Sequence, residues 1–197
     1  MAVARPIKEL LLQALEHEQG GVLLYQTALE CAVHRELKRE WQAYLEQTRR
    51  HVDVLTRTCE ALGVDPGEVT PAREIVHQNG KALAISMKAA LASGDRVAAE
   101  LVACDAIVLA ETKDHAHWEL IGACAMELSG DEAAVLQRAH DEVEDEEDEH
   151  LYHTRGWCRE LWREFLGFEA VLPPPEEKRD VRTAREQAKV EEQRKLN

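Results

Sequence analysis

The chain has no surplus of basic charge: 24 Lys and Arg stand against 38 Asp and Glu, a net charge of −14. Nucleic acids and anionic membranes are gripped by basic surfaces, so neither is expected as a partner, whereas cations are. The chain also lacks a CxxC pair. Its five cysteines, Cys31, Cys59, Cys104, Cys124 and Cys158, are scattered and odd in number. That argues against a disulfide framework and for reduced thiols in a cytoplasmic protein. No apolar run reaches the ~18 residues of a membrane helix. The N-terminal RPIKELLLQALEH, interrupted by Glu9 and Gln13, reads as neither a signal peptide nor a span. Proline is missing from long stretches rich in Ala, Leu, Glu, Arg and Lys, which predicts an all-α protein.

What is present is helical periodicity. Leu11, Leu15, Glu18, Val22, Tyr25 and Leu29 share one face and predict a first helix from about Pro6 to His34. Trp41, Tyr44, Thr48, His51, Leu55 and Leu62 mark a second over 36–62, closed by Gly63 and the loop VDPGEVTP. A further helical stretch follows Pro71 and ends near Ser93-Gly94-Asp95. Asp95 is placed to cap a long helix over 96–128, striped by Ile107, Glu111, Asp114, Trp118 and Ile121. The last long helix, 131–166, is expected to be capped by Ser129 or Asp131. Its stripe is Leu136, His140, Val143, Glu147, His150, Thr154, Trp157 and Leu161. Four long helices with a crossover between the second and third predict a four-helix bundle over 1–170. After LPPP (172–175), residues up to 197 read as a charged tail, helical or not, with little of its own to bury.

The segment DEVEDEEDEH concentrates eight acids between Asp141 and Glu149. Most belong to a solvated face, and Glu142, Glu146 and Glu149 fall off the apolar stripe. Glu147 and His150 fall on it, three residues apart, so both reach one point from adjacent turns. The other stripes also carry polar residues near mid-helix: Glu18; Thr48 and His51; Glu111 and Asp114. A buried unpaired carboxylate costs several kcal/mol, so such acids must be protonated, paired or metal-bound. No Lys or Arg shares the stripes at that depth. Carboxylate oxygen with imidazole nitrogen suits iron or manganese. Taken singly, His51 could be a hydrogen-bonded core histidine and Asp114 could bridge to His117.

At these residues the chain resembles the ferritin-like superfamily, particularly its rubrerythrin-like dimetal carboxylate branch. EQGGVLLY resembles the first-helix motif through Glu18 and Tyr25, and TRRHVDVL the second through His51. ETKDHAHW resembles the third through Glu111, Asp114 and Trp118, and EDEH the fourth through Glu147 and His150. The resemblance, over about 8–165, implies an up-down-down-up bundle with an extra crossover helix. It implies metal ligands Glu18, His51, Glu111, Asp114, Glu147 and His150, one or two iron or manganese ions, and chemistry with oxygen, peroxide or ferrous iron. The assembly expected is a homodimer. Three departures stand out: Thr48 replaces the carboxylate of the second helix, Asp114 is one methylene shorter than the usual Glu, and the crossover near 72–93 is long. The paired CxxC motifs of a four-cysteine iron site are absent as well. The alternative function is a structural or interaction bundle with a degenerate metal site or none.

Overall fold

A computed structural model describes residues 3–196. Among them it is all-helical, with seven helices and no strand: α1 (Arg5–Cys31), α2 (Arg35–Ala61), α3 (Pro71–Ala92), α4 (Arg96–Glu127), α5 (Asp131–Phe165), α6 (Pro175–Lys178) and α7 (Ala184–Leu196). The helix starts follow their local chemistry. Pro6 sits in the first turn of α1. Thr70 caps α3, its hydroxyl accepting from the Arg73 N–H at 3.2 Å, and Asp95 caps α4 by accepting from the Ala98 N–H at 3.0 Å. The start of α5 differs from expectation. Gly130, not Ser129 or Asp131, holds the cap position without a side-chain cap. The turn needs φ = 78° there, which glycine adopts at little cost. Asp131 and Glu132 then face the positive end of the helix dipole.

Helices α1, α2, α5 and α4 touch in a closed ring, while α3 packs outside it against α1 and α4. Facing pairs give the directions. Glu18 meets Trp118 while Tyr25 meets Glu111, so α1 and α4 are antiparallel. Arg57 meets Glu142 while Tyr44 meets His153, so α2 and α5 are antiparallel too. The crossover is anchored by Arg73, buried against Glu16 at 2.8 Å and the Pro66 carbonyl at 2.5 Å. Helix α3 passes α1 with Gly80 beside Gly20, where a Cβ on Gly80 would lie 3.8 Å from the Gly20 Cα, an ordinary contact distance.

The apolar core is divided. One cluster, around Leu24, Trp41, Ile107 and Trp157, fills one end of the ring. The other, around Leu11, Leu15, Leu55, Ile121 and Leu136, fills the opposite end. Residues from mid-helix, polar on all four helices, lie between them.

The C-terminal segment is docked rather than free. Val181 and Val190 are buried against Leu151 and Tyr152 of α5. Ion pairs add to the attachment: Arg159 grips Glu176 with two bonds of 2.5 and 2.9 Å, and Arg194 grips Glu160 at 3.1 and 2.8 Å. The expectation of little to bury misses these pairs as well as the buried Val181 and Val190. All five cysteines are free. Among the described residues, no helix is long and apolar enough to cross a membrane.

Candidate metal centre

The six residues Glu18, His51, Glu111, Asp114, Glu147 and His150 converge between the two apolar clusters, each at most 4% exposed. Two triads offer ligand atoms within 4.8 Å of one another: His51, Glu147 and His150, and Glu18, Asp114 and Glu147. Glu147 belongs to both. Glu111 flanks the first triad, with Oε2 3.5 Å from His150 Nδ1. The convergence follows from helix length. Each residue sits near the middle of its helix, and helices packed side by side bring their midpoints to one depth.

Both imidazoles are oriented from outside. Glu146 accepts from His51 Nε2 at 2.9 Å, and the Gln47 side-chain oxygen accepts from His150 Nε2 at 2.9 Å. With their protons on Nε2, both rings turn Nδ1 toward the carboxylates. His51 Nδ1 lies 3.3 Å from Glu18 Oε1 and 3.0 Å from Glu147 Oε1, and His150 Nδ1 lies 3.6 Å from Glu147 Oε1. These contacts are near enough for strong electrostatic coupling but out of line for hydrogen bonds: both Nδ1 atoms and both Glu147 oxygens have no hydrogen-bond partner. A lone pair facing a carboxylate needs a proton or a cation between them.

Two carboxylates are held by aromatic donors through one oxygen each. Trp118 Nε1 donates to Glu18 Oε1 at 2.8 Å, and the Tyr25 hydroxyl donates to Glu111 Oε1 at 2.8 Å. The second oxygens, Glu18 Oε2 and Glu111 Oε2, have no partner, nor has Asp114 Oδ1. Seven buried ligand-type atoms on six side chains are thus uncommitted at one depth, where most buried polar atoms are paired.

The charge state follows from crowding. Burial, reinforced by the charges of Glu18, Glu147 and Glu111, pushes Asp114 well above the usual carboxyl range. Burial raises Glu147 to about 7. Burial alone would lower His51, but Glu18 and the hydrogen-bonding acids around it outweigh this and raise it to about 12. His150 is likewise raised despite burial, by Glu111 and Glu147. Without a cation, the site therefore retains protons.

Three residues that contact the central imidazoles, Glu146, Gln47 and Tyr44, were not assigned to the site from the sequence. Glu146, placed off the stripe, is the partner of His51 and also pairs with Arg50 at 2.5 Å. Its signal was its position one residue before Glu147, on the flank of α5 nearest α2. Gln47 contacts His150, while its neighbour Thr48 is buried with its methyl 3.1 Å from where a Cβ on Gly21 would lie. Tyr44 lies against His150, with ring centroids 4.2 Å apart and the planes tilted by 41°. His117 meets His17 edge to face at 5.4 Å.

The chain matches no protein-family model, no curated protein and no solved structure. The buried His51, Glu18, Glu147 and His150 group could hold a metal ion.

Proposed function

We propose that this chain is a ferritin-like, rubrerythrin-like protein whose ring of α1, α2, α4 and α5 is an up-down-down-up bundle holding non-haem iron, with manganese as the alternative. One observation carries the reading: six buried side chains from four helices present uncommitted oxygen and Nδ1 atoms to a common space, with no Lys or Arg bonded to them among the described residues. Mixed carboxylate and imidazole donors match iron and manganese. The directions of the four helices and the crossover through α3 accord with that fold.

In this reading His51 and His150 supply nitrogen, and Glu18, Asp114 and Glu147 supply carboxylate oxygen. Glu111 is an additional ligand restrained by Tyr25. Iron bound there supplies one-electron redox chemistry toward oxygen, peroxide or further ferrous iron. The protein's own part is to orient and exclude. Glu146 and Gln47 fix the tautomers of the two imidazoles. The two apolar clusters keep water from both ends. Asp114 and Glu147 hold protons that a cation must displace.

The test is metal analysis of protein purified without chelator, followed by reconstitution with ferrous iron or manganese. The expected result is at least one tightly held ion per chain. Protein that retains no transition metal after both treatments would instead be a scaffold, with the docked tail as its working part.

A further inference from the structure

A cleft of about 190 Å³ opens between α4, α5 and the residues leading into α7. Its lining grades from Glu144, whose side chain is 57% exposed, to Glu147, at 1%. Glu147 is the residue common to both triads, and neither of its oxygens has a hydrogen-bond partner. The cleft therefore leads from solvent to an uncommitted buried carboxylate.

His140 stands on its wall. His140, Glu144 and Glu147 follow an i, i+4, i+7 stripe on α5, so His140 lies about 10 Å along the helix axis from Glu147, with Glu144 between. His140 Nδ1 is 3.4 Å from Glu144 Oε2 and 3.9 Å from Asp141 Oδ1. Nδ1 is itself buried and without a hydrogen-bond partner. The three residues each offer a ligand atom within 4.8 Å of the others. The imidazole is seated against α4 because residue 122 is glycine: a Cβ there would lie 2.5 Å from the ring. Arg182, also on the wall, is engaged by Asp180, Asp145 and Glu149 rather than by this group.

The geometry points to a second cation site: His140 and Glu144, with Asp141 beside them, bind a divalent transition-metal ion at the cleft mouth and deliver it to Glu147. One nitrogen and two carboxylates favour Fe²⁺, Mn²⁺, Co²⁺ or Zn²⁺ over the oxygen-seeking Mg²⁺ and Ca²⁺. The exposed carboxylates make the site weak, as a loading station should be. Binding at His140 stands independently of the buried centre; the delivery role rests on the function proposed above.

The experiment titrates chelator-stripped full-length protein with Co²⁺, reading bound ion by equilibrium dialysis and imidazole ligation by visible absorption. It uses the wild type and a Glu18→Gln/His150→Ala background that disables the buried centre. In that background one weakly bound Co²⁺ per chain is expected, and His140→Ala should abolish it. In the otherwise wild-type chain, His140→Ala should slow filling of the buried centre several-fold and leave its final occupancy unchanged. Gly122→Ala, which displaces the imidazole, should do the same with His140 present. Unchanged melting temperature shows that each variant folds. The outer site is overturned if the disabled background binds no Co²⁺, or binds it equally well after His140→Ala. The delivery role is overturned if the weak ion is lost but the filling rate is unaltered. If the buried centre takes up no ion in the wild type while the weak ion persists, the function proposed above fails and the outer site stands.

Discussion

Glu160 and Glu176 are as deeply buried as Glu18 and Glu147, at 0, 0, 0 and 1% exposed, yet they are neutralised in different ways. Under the tail, each acid has a guanidinium: Arg194 on Glu160, Arg159 on Glu176, and the Val171 N–H adds a bond to Glu160 at 2.9 Å. At the centre of the ring the acids meet imidazoles, aromatic donors and one another. A sequence able to supply two arginines for docking two short helices supplies none for its most crowded carboxylates. Glu160 and Glu176 are closed by the chain's own guanidinium groups; the central donors are left open, which is what the proposed metal site requires.

The sharpest way to break that contrast is to remove central ligands. Glu147→Ala with His150→Ala takes away the carboxylate common to both triads and one of the two imidazoles. Metal content after identical loading should fall at least about tenfold, by elemental analysis. Equal metal in wild type and variant would place the ions elsewhere.

Next is the tail. Arg159→Ala strands Glu176 and Glu160 without one of their partners, and breaking a buried pair from one side costs about 3 kcal/mol or more. For a domain of this size the melting temperature should drop by about 6–12 °C. Truncation after Pro173 should cost less than this, because it removes Glu176 with its environment and returns Glu160 to water. A truncation as harmful as Arg159→Ala would show that the valines, not the charges, dominate docking.

pH separates the two regions further. Burial holds Glu147 at about 7, so below that pH its proton joins those on Asp114 and His51 in competing with the cation. Apparent metal affinity should fall by up to about tenfold per pH unit for each proton displaced. Glu160 has the opposite sign: burial raises it, but Arg194, the Val171 N–H and Arg159 outweigh burial and hold it below its ordinary value. Its stabilising contribution is present above the unfolded carboxyl pKa of about 4.3 and is lost only as pH falls through the lower folded value. Acidification from neutrality should therefore release metal while the tail stays docked, read by dialysis and by limited proteolysis of residues 176–196.

The smallest effect is at Thr48. Thr48→Glu would add a carboxylate three residues before His51, beside Gly21, and should raise the metal-to-protein ratio from near one toward two. A variant that folds but binds no more metal would show that α2 is not where the second ion lacks a ligand.

The long helices and the central donors were legible because both depend on local spacing. Apolar residues at three- and four-residue steps define an inner face, and a Glu or His on that face must be buried. Pairings set by docking were not legible. Glu176 and Arg194 are 18 residues apart in a segment with few apolar residues, and nothing local brings them to α5. Glu146 looked solvated because its helix position is lateral; its partner His51 comes from another helix. His140 lay on the inner stripe in sequence, yet it faces a cleft because Gly122 on α4 leaves room for its ring.

The bond from Trp118 Nε1 to Glu18 Oε1 gives the protein an optical reporter of its own. An indole whose N–H is tied to a carboxylate emits according to the charge on that carboxylate, and a paramagnetic ion close by drains its excited state. Trp41, Trp118 and Trp157 are all fully buried, but Trp118 alone of the three donates to one of the six central residues. Loss of Trp118 emission on adding Fe²⁺, abolished by Trp118→Phe, would time the arrival of each ion without label or stain.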